Sequence, residues 1–140
     1  MRFSILFTLA LLAGCASSRR SDSAPAAIVE LSPGAVCSVG DSAFKSEIEE
    51  YHGVALVDFN ARWCGPCRRM SPVIDALATD CKGRAKVLKL DIDAAVLTAD
   101  RYDVHSIPCL IVFRDGREVE RHYGLHTQPE IEAWIATAAK

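Results

Sequence analysis

From residue 36 onward the chain carries two distinct apolar rhythms, and each predicts an element. Val54-Ala55-Leu56-Val57-Asp58-Phe59 is apolar throughout except for one carboxylate, as expected of a strand buried on both faces. Between Arg68 and Cys81 the apolar residues Met70, Val73, Ile74, Leu77 and Ala78 instead fall at helical spacing. Pro72 sits in that run, where it removes one backbone hydrogen bond and predicts a kink. Upstream, Val36 to Val39 predicts a short first strand. Asp41 or Ser42 is placed to cap a helix running to about Tyr51, with Phe44 and Ile48 on its buried face and Gly53 ending it. Downstream, Lys82-Gly83 closes the long helix, Ala85 to Leu90 predicts a third strand and Ala94 to Tyr102 a short helix. Cys109–Phe113 and Glu118–Tyr123 read as a hairpin turning at Asp115-Gly116. A last helix, about Gln128 to Ala139, is capped by Thr127 and turns Ile131, Trp134 and Ile135 to the sheet. Strand–helix alternation followed by a hairpin predicts an α/β domain: a mixed central sheet with helices on both faces.

Residues 1–34 follow a different pattern. Arg2 precedes an apolar run from Phe3 to Ala13 interrupted only by Ser4 and Thr8. That run falls short of the roughly twenty residues needed to span a bilayer, but suits the core of an export signal. It ends in Leu12-Ala13-Gly14-Cys15, which resembles the lipobox of bacterial lipoproteins. The resemblance implies a signal peptide over 1–14 and a membrane anchor in which Cys15 carries acyl (palmitate) lipid as the first residue of the mature chain. An ordinary secretory signal cleaved nearby is the alternative. Residues 15–34 then form a Ser/Ala/Pro-rich tether with too little apolar periodicity to fold, spanning roughly 25 Å as a flexible coil. Ala16 after Cys15, by analogy with lipoprotein sorting, leans towards the outer membrane of a cell that has two. The expected location is therefore a membrane surface facing the periplasm or the exterior.

Composition narrows the remainder. The 140 residues leave one domain over 35–140, within the ordinary single-core range. Removing residues 1–14 takes away Arg2 alone, leaving 15 basic against 18 acidic side chains and a net charge of −3. Nothing in that balance points to nucleic acid, and Arg68-Arg69 is a solvated basic pair rather than a phosphate clamp. The histidines at 52, 105, 122 and 126 are scattered and read as surface residues.

The chemistry lies at Trp63-Cys64-Gly65-Pro66-Cys67. Two cysteines three apart at a strand-to-helix junction form a redox centre. Near the first helical turn, unpaired N–H groups and the helix dipole favour a thiolate at Cys64, while Cys67 lies one turn further in. A zinc site needs a second Cys or His pair at ligand spacing, and the sequence offers neither a second CxxC nor HxxxH, so no metal is expected. Asp58, alone in an apolar strand, should have its pKa raised by desolvation. It is either an acid/base serving Cys67 or a carboxylate paired with Lys89 from the next strand. Spacing fixes no pairing among Cys37, Cys81 and Cys109; with Cys15 set aside, five cysteines remain, an odd number.

Val57-Asp58-Phe59-Asn60-Ala61-Arg62-Trp63-Cys64-Gly65-Pro66-Cys67 resembles the active-site segment of the thioredoxin family. Lys86 to Asp93 resembles the family's next strand, Tyr102 to Pro108 the approach to its cis-proline, and Leu110 to Arg117 with Tyr123-Gly124-Leu125 its final hairpin and following glycine. These motifs fall in order without a large insertion. The resemblance implies the thioredoxin fold with a five-stranded sheet and a redox-active Cys64–Cys67 disulfide in place of any cofactor. Asp58 would be the acid/base and Lys89 its tuning partner. Trp63, Gly65, Pro66, Ile107, Pro108 and Gly124 would form the substrate-binding rim, with Pro108 cis. The implied activity is thiol–disulfide exchange by a monomer, reducing protein disulfides outside the cytoplasm and re-reduced by a membrane or soluble electron donor. Gly65-Pro66 resembles the reducing members. An oxidase or isomerase on the same fold, favoured by an oxidising compartment, and a non-catalytic docking module are the alternatives. Two departures stand out: Asn60 replaces a tryptophan common in the family, implying looser packing, and Cys109 replaces the usual threonine after Pro108, where it is a small buried strand residue or else a third thiol near the pair.

Overall fold

A computed structural model describes residues 36–140; the signal, Cys15 and the tether lie outside the described residues. The strands are β1 (Cys37–Ser38), β2 (Val54–Asn60), β3 (Lys86–Asp91), β4 (Cys109–Arg114) and β5 (Arg117–Tyr123). They form one sheet in the order β1-β3-β2-β4-β5, with the first three parallel and β4 and β5 antiparallel. The helices are α1 (Asp41–Phe44), α2 (Gly65–Asp80), α3 (Val96–Arg101) and α4 (Gln128–Ala138).

β2 lies centrally and explains its own sequence. Ala55, Val57 and Phe59 point into a core with Phe44, Ile48, Cys109, Ile111 and Phe113. Val54 and Leu56 point the other way, into a core with Met70, Ile74 and Leu77 of α2 and Ile131 and Ile135 of α4. A strand buried on both faces has no use for alternation, hence its nearly unbroken apolar run. Asp58 shares the α2 face and is 2% exposed. α2 continues for 16 residues through Pro72.

Three local expectations need correction. Asp41 does not cap its own helix; Gly40 holds the N-cap position, without a side-chain cap. The Asp41 carboxylate reaches across to α3 and accepts from Thr98 N (2.7 Å), Thr98 Oγ1 (2.6 Å) and Leu97 N (3.3 Å). It thereby satisfies N–H groups that a short helix leaves open, and these bonds, Thr98 Oγ1 foremost, hold its pKa below the ordinary value. The helix after Asp41 is α-helical only to Phe44 and continues as a π-helical turn, Lys45–Glu49. The histidines are not all scattered, either. Because β5 returns beside α4, His122 stacks on Trp134 with ring centroids 3.5 Å apart, and His126 meets both edge-on. Thr127 caps α4 with a complete capping box to Glu130, as the sequence predicts.

The β4–β5 turn is pinned to the rest of the domain. Asp115 and Gly116 both have positive φ (48° and 79°), the backbone a two-residue hairpin requires. Asp115 N donates to Gly53 O (2.9 Å) and Gly53 N donates back to Asp115 Oδ1 (2.8 Å). Gly116 lies so close to the π-helical turn that an added Cβ would fall 1.9 Å from Glu49 O.

Candidate active site

The C-terminal end of β2 delivers the chain into a short loop, and Cys64 takes the N-cap position of α2 with Gly65 and Pro66 starting the helix. Pro66 fits there because first-turn N–H groups need no intrahelical partner. Cys64 Sγ occupies the place of a cap acceptor and receives Cys67 N at 3.1 Å. The two cysteines are joined in a disulfide, with Cα atoms 5.2 Å apart. Both are only 4% exposed, and they pack with Ala61, Ile92 and Ile107.

Opposite the disulfide, the Ile107–Pro108 peptide is cis, as the resemblance implied. Ile107 O lies 3.9 Å from Cys64 Sγ, and Gly124 N donates to Pro108 O (2.9 Å), tying the loop to the end of β5. Trp63 is 66% exposed and so is no core residue. Its indole Nε1–H donates to Asp93 Oδ2 (2.8 Å) in the turn after β3, a partner the sequence reading missed. Gly65 is half-buried and Pro66 exposed, both in the first turn of α2.

Behind Cys67 a cavity of about 230 Å³ reaches Asp58, lined also by Asn60, Ser71 and Lys89, with the exposed Arg62 and Arg68 on its rim. Burial pushes the Asp58 carboxyl from 3.8 up to about 7, against a smaller opposing pull from Lys89 and then from the Asn60 hydrogen bond. Asp58 and Lys89 are register partners across β2 and β3, yet they do not pair. The Lys89 ammonium donates instead to Ser71 Oγ (2.7 Å) and Asp75 Oδ1 (2.5 Å) on α2. A solvent-side carboxylate holds Lys89 without the cost of dehydrating both charges, and Lys89 acts on Asp58 only through space.

The residue the sequence reading undervalued is Asn60. Its Nδ2 donates to Asp58 O (2.9 Å) and to Asp58 Oδ2 (3.4 Å). A polar residue two places from a buried carboxylate, on the same strand face, was the available signal. Asp58 Oδ1 accepts no hydrogen bond from any described residue.

Cys109 does not join this group. Its side chain points to the opposite core, beside Phe59 and Ile111, and burial pushes its thiol up to about 11. Cys37 and Cys81 belong to cores on opposite faces of the sheet, so they are not mutual partners.

Comparison with known proteins agrees with this geometry. A family model described as Thioredoxin matches residues 35–137. Thioredoxins from Staphylococcus aureus strains Mu50 and MW2 are each 46% identical over 97 residues, covering 69% of this chain and 91% of the relative. With the joined CxxC cysteines at the head of α2 and a matched model spanning nearly the whole described domain, the chain belongs to the thioredoxin family of thiol–disulfide oxidoreductases.

Proposed function

We propose that this protein reduces disulfides in client proteins outside the cytoplasm, held at a bacterial membrane by lipid on Cys15. The observation that carries the catalytic half is the position of Cys64. Its sulfur sits at the N-cap of a 16-residue helix with a backbone N–H aimed at it, where negative charge is stabilised. In the dithiol form Cys64 thiolate attacks a client disulfide and one client thiolate leaves. Cys67 then gives its proton to Asp58 through the cavity and attacks Cys64 Sγ. The Cys64–Cys67 disulfide forms, the second client thiol departs, and two electrons have passed to the client. A membrane or soluble dithiol donor restores the pair. The cis Ile107–Pro108 loop and Gly124 frame the approach of an extended client segment, with Trp63 and the first-turn residues Gly65 and Pro66 of α2 on the facing side.

Gly65-Pro66 between the cysteines favours reduction over oxidation, and the reduction potential tests it. The pair should equilibrate near the roughly −270 mV typical of thioredoxin, and far from the roughly −120 mV of a strong thiol oxidase. Since about 30 mV is tenfold in the two-electron equilibrium, titration against a glutathione or dithiothreitol buffer separates the two directions. A potential near the oxidase value would reverse the proposed electron flow.

The anchor rests on the lipobox-like Leu12-Ala13-Gly14-Cys15 and the polar stretch that follows. Cys15→Ser should leave the domain folded and redox-active while moving it from the membrane to the soluble fraction. Retention of the variant on membranes through a carbonate wash would remove the lipid from the proposal.

A further inference from the structure

We propose that Asn60 is a positioning residue for the buried carboxyl: its side-chain amide holds Asp58 Oδ2 and leaves Oδ1 to receive the proton from Cys67. This rests on the acid/base reading of Asp58 given above. The geometry is specific. Asn60 and Asp58 lie two apart on β2, so both side chains leave the same face of the strand and both line the cavity that reaches Cys67. Nδ2 bridges the Asp58 carbonyl oxygen (2.9 Å) and Oδ2 (3.4 Å), which fixes the amide first on the backbone and then against the carboxylate. The other oxygen, buried and without a donor among the described residues, is the one left to act.

The same contact also lowers the pH at which the carboxyl is charged, after the larger effects of burial and Lys89. A hydrogen bond to the ionised form favours it, so Asn60 works against the burial that pushes Asp58 up to about 7. The groups that face the carboxyl from the packed elements are few, and Lys89 and Asp75 are the charges that shift it. β3 brings Lys89, α2 brings Cys67 and Asp75, Arg62 and Arg68 stand on the cavity rim, and β4 turns Leu110 to Asp58 while Cys109 faces away. Asn60 alone among these donates a hydrogen bond to the carboxylate. An apolar residue there would leave the group more deeply desolvated and its proton harder to release. Asn60 therefore tunes how fast the mixed disulfide is resolved near neutral pH, without touching the reacting sulfurs.

The test uses the full chain and two variants without the donor, Asn60→Leu of similar size and Asn60→Ala as a smaller one should leucine disturb the strand end. The first readout is a carbon-13 titration of the Asp58 carboxyl in the disulfide form, where neither active-site cysteine titrates. Its midpoint should rise by about one pH unit in both variants. The second is single-turnover oxidation of the dithiol protein by a small peptide disulfide across pH 6–9, run beside Asp58→Asn. The Asn60 variants should be about fivefold slow at pH 7 and converge on the parent near pH 9. An unmoved carboxyl midpoint, with Asp58→Asn slow, overturns the role of Asn60 alone. Parental rates and pH profile in Asp58→Asn overturn the acid/base reading, and this inference with it.

Discussion

Asp58→Asn should slow resolution of the mixed disulfide at neutral pH by about 10²–10⁴-fold, the range typical of a lost general base, and should make the domain more stable. The second effect follows from burial. Asp58 is 2% exposed, its Oδ1 has no donor among the described residues, and its pKa is raised to about 7. A carboxyl with a raised folded pKa destabilises the native state wherever the unfolded chain is ionised and the folded one resists ionisation. Below about pH 4 both are protonated and the cost vanishes. It grows as pH climbs from there towards 7, then stays constant. Asparagine keeps the shape without the charge, so the gain should be near zero at pH 4 and roughly 3 kcal/mol at pH 8, after allowance for burying the amide itself. Urea melts at those two pH values measure it. A variant no more stable at pH 8 than its parent would mean that the carboxylate is well solvated through the cavity.

Gly116→Ala should cost about 3–5 kcal/mol, a large share of the 5–15 kcal/mol that holds a domain of this size together. Two penalties combine. The backbone at φ +79° is strained for any side chain, by about 1–2 kcal/mol. The new methyl would also lie 1.9 Å from Glu49 O, a backbone atom of the π-helical turn that cannot swing aside. Gly83 supplies the internal control: its φ is +78°, and a Cβ there meets nothing within 4 Å. Gly83→Ala should show the conformational penalty alone, so the difference between the two denaturation midpoints isolates the clash. Equal losses would mean that the β4–β5 turn moves away from Glu49 at little cost.

The sheet was legible because β2 is buried on both faces and α2 on one, and each burial pattern imprints its own period on the chain. The redox pair was legible because its chemistry requires two cysteines at one spacing. What escaped were contacts between elements far apart in sequence or choices among equivalent partners. Asp41 has the composition of a cap, but composition does not say which helix it caps; Thr98, 57 residues on, takes it. Lys89 was read towards Asp58, its neighbour across the sheet, yet Asp75 and Ser71 offered a partner nearer solvent. His122 and Trp134 carry no shared motif, and only the return of β5 beside α4 stacks them. Asn60 registered as a departure from a common tryptophan and therefore as lost packing, whereas it contributes a hydrogen bond that tryptophan, with its distant single N–H, has no short reach to make.

The parallel run of β1 with β3 and β2 also gives the domain two unlike poles. Cys37 sits level with Leu88 and hence with Val57, while the disulfide lies beyond Asn60, past the far end of the strands. The described polypeptide thus enters the sheet level with the middle of β2 and heading towards the redox pair. In the proposed lipid-anchored form, β1 would run from the leash towards the disulfide, and a flexible leash of roughly 25 Å would leave Cys64 free to turn away from the lipid. Large folded clients could then reach Cys64 without first passing between the domain and the lipid.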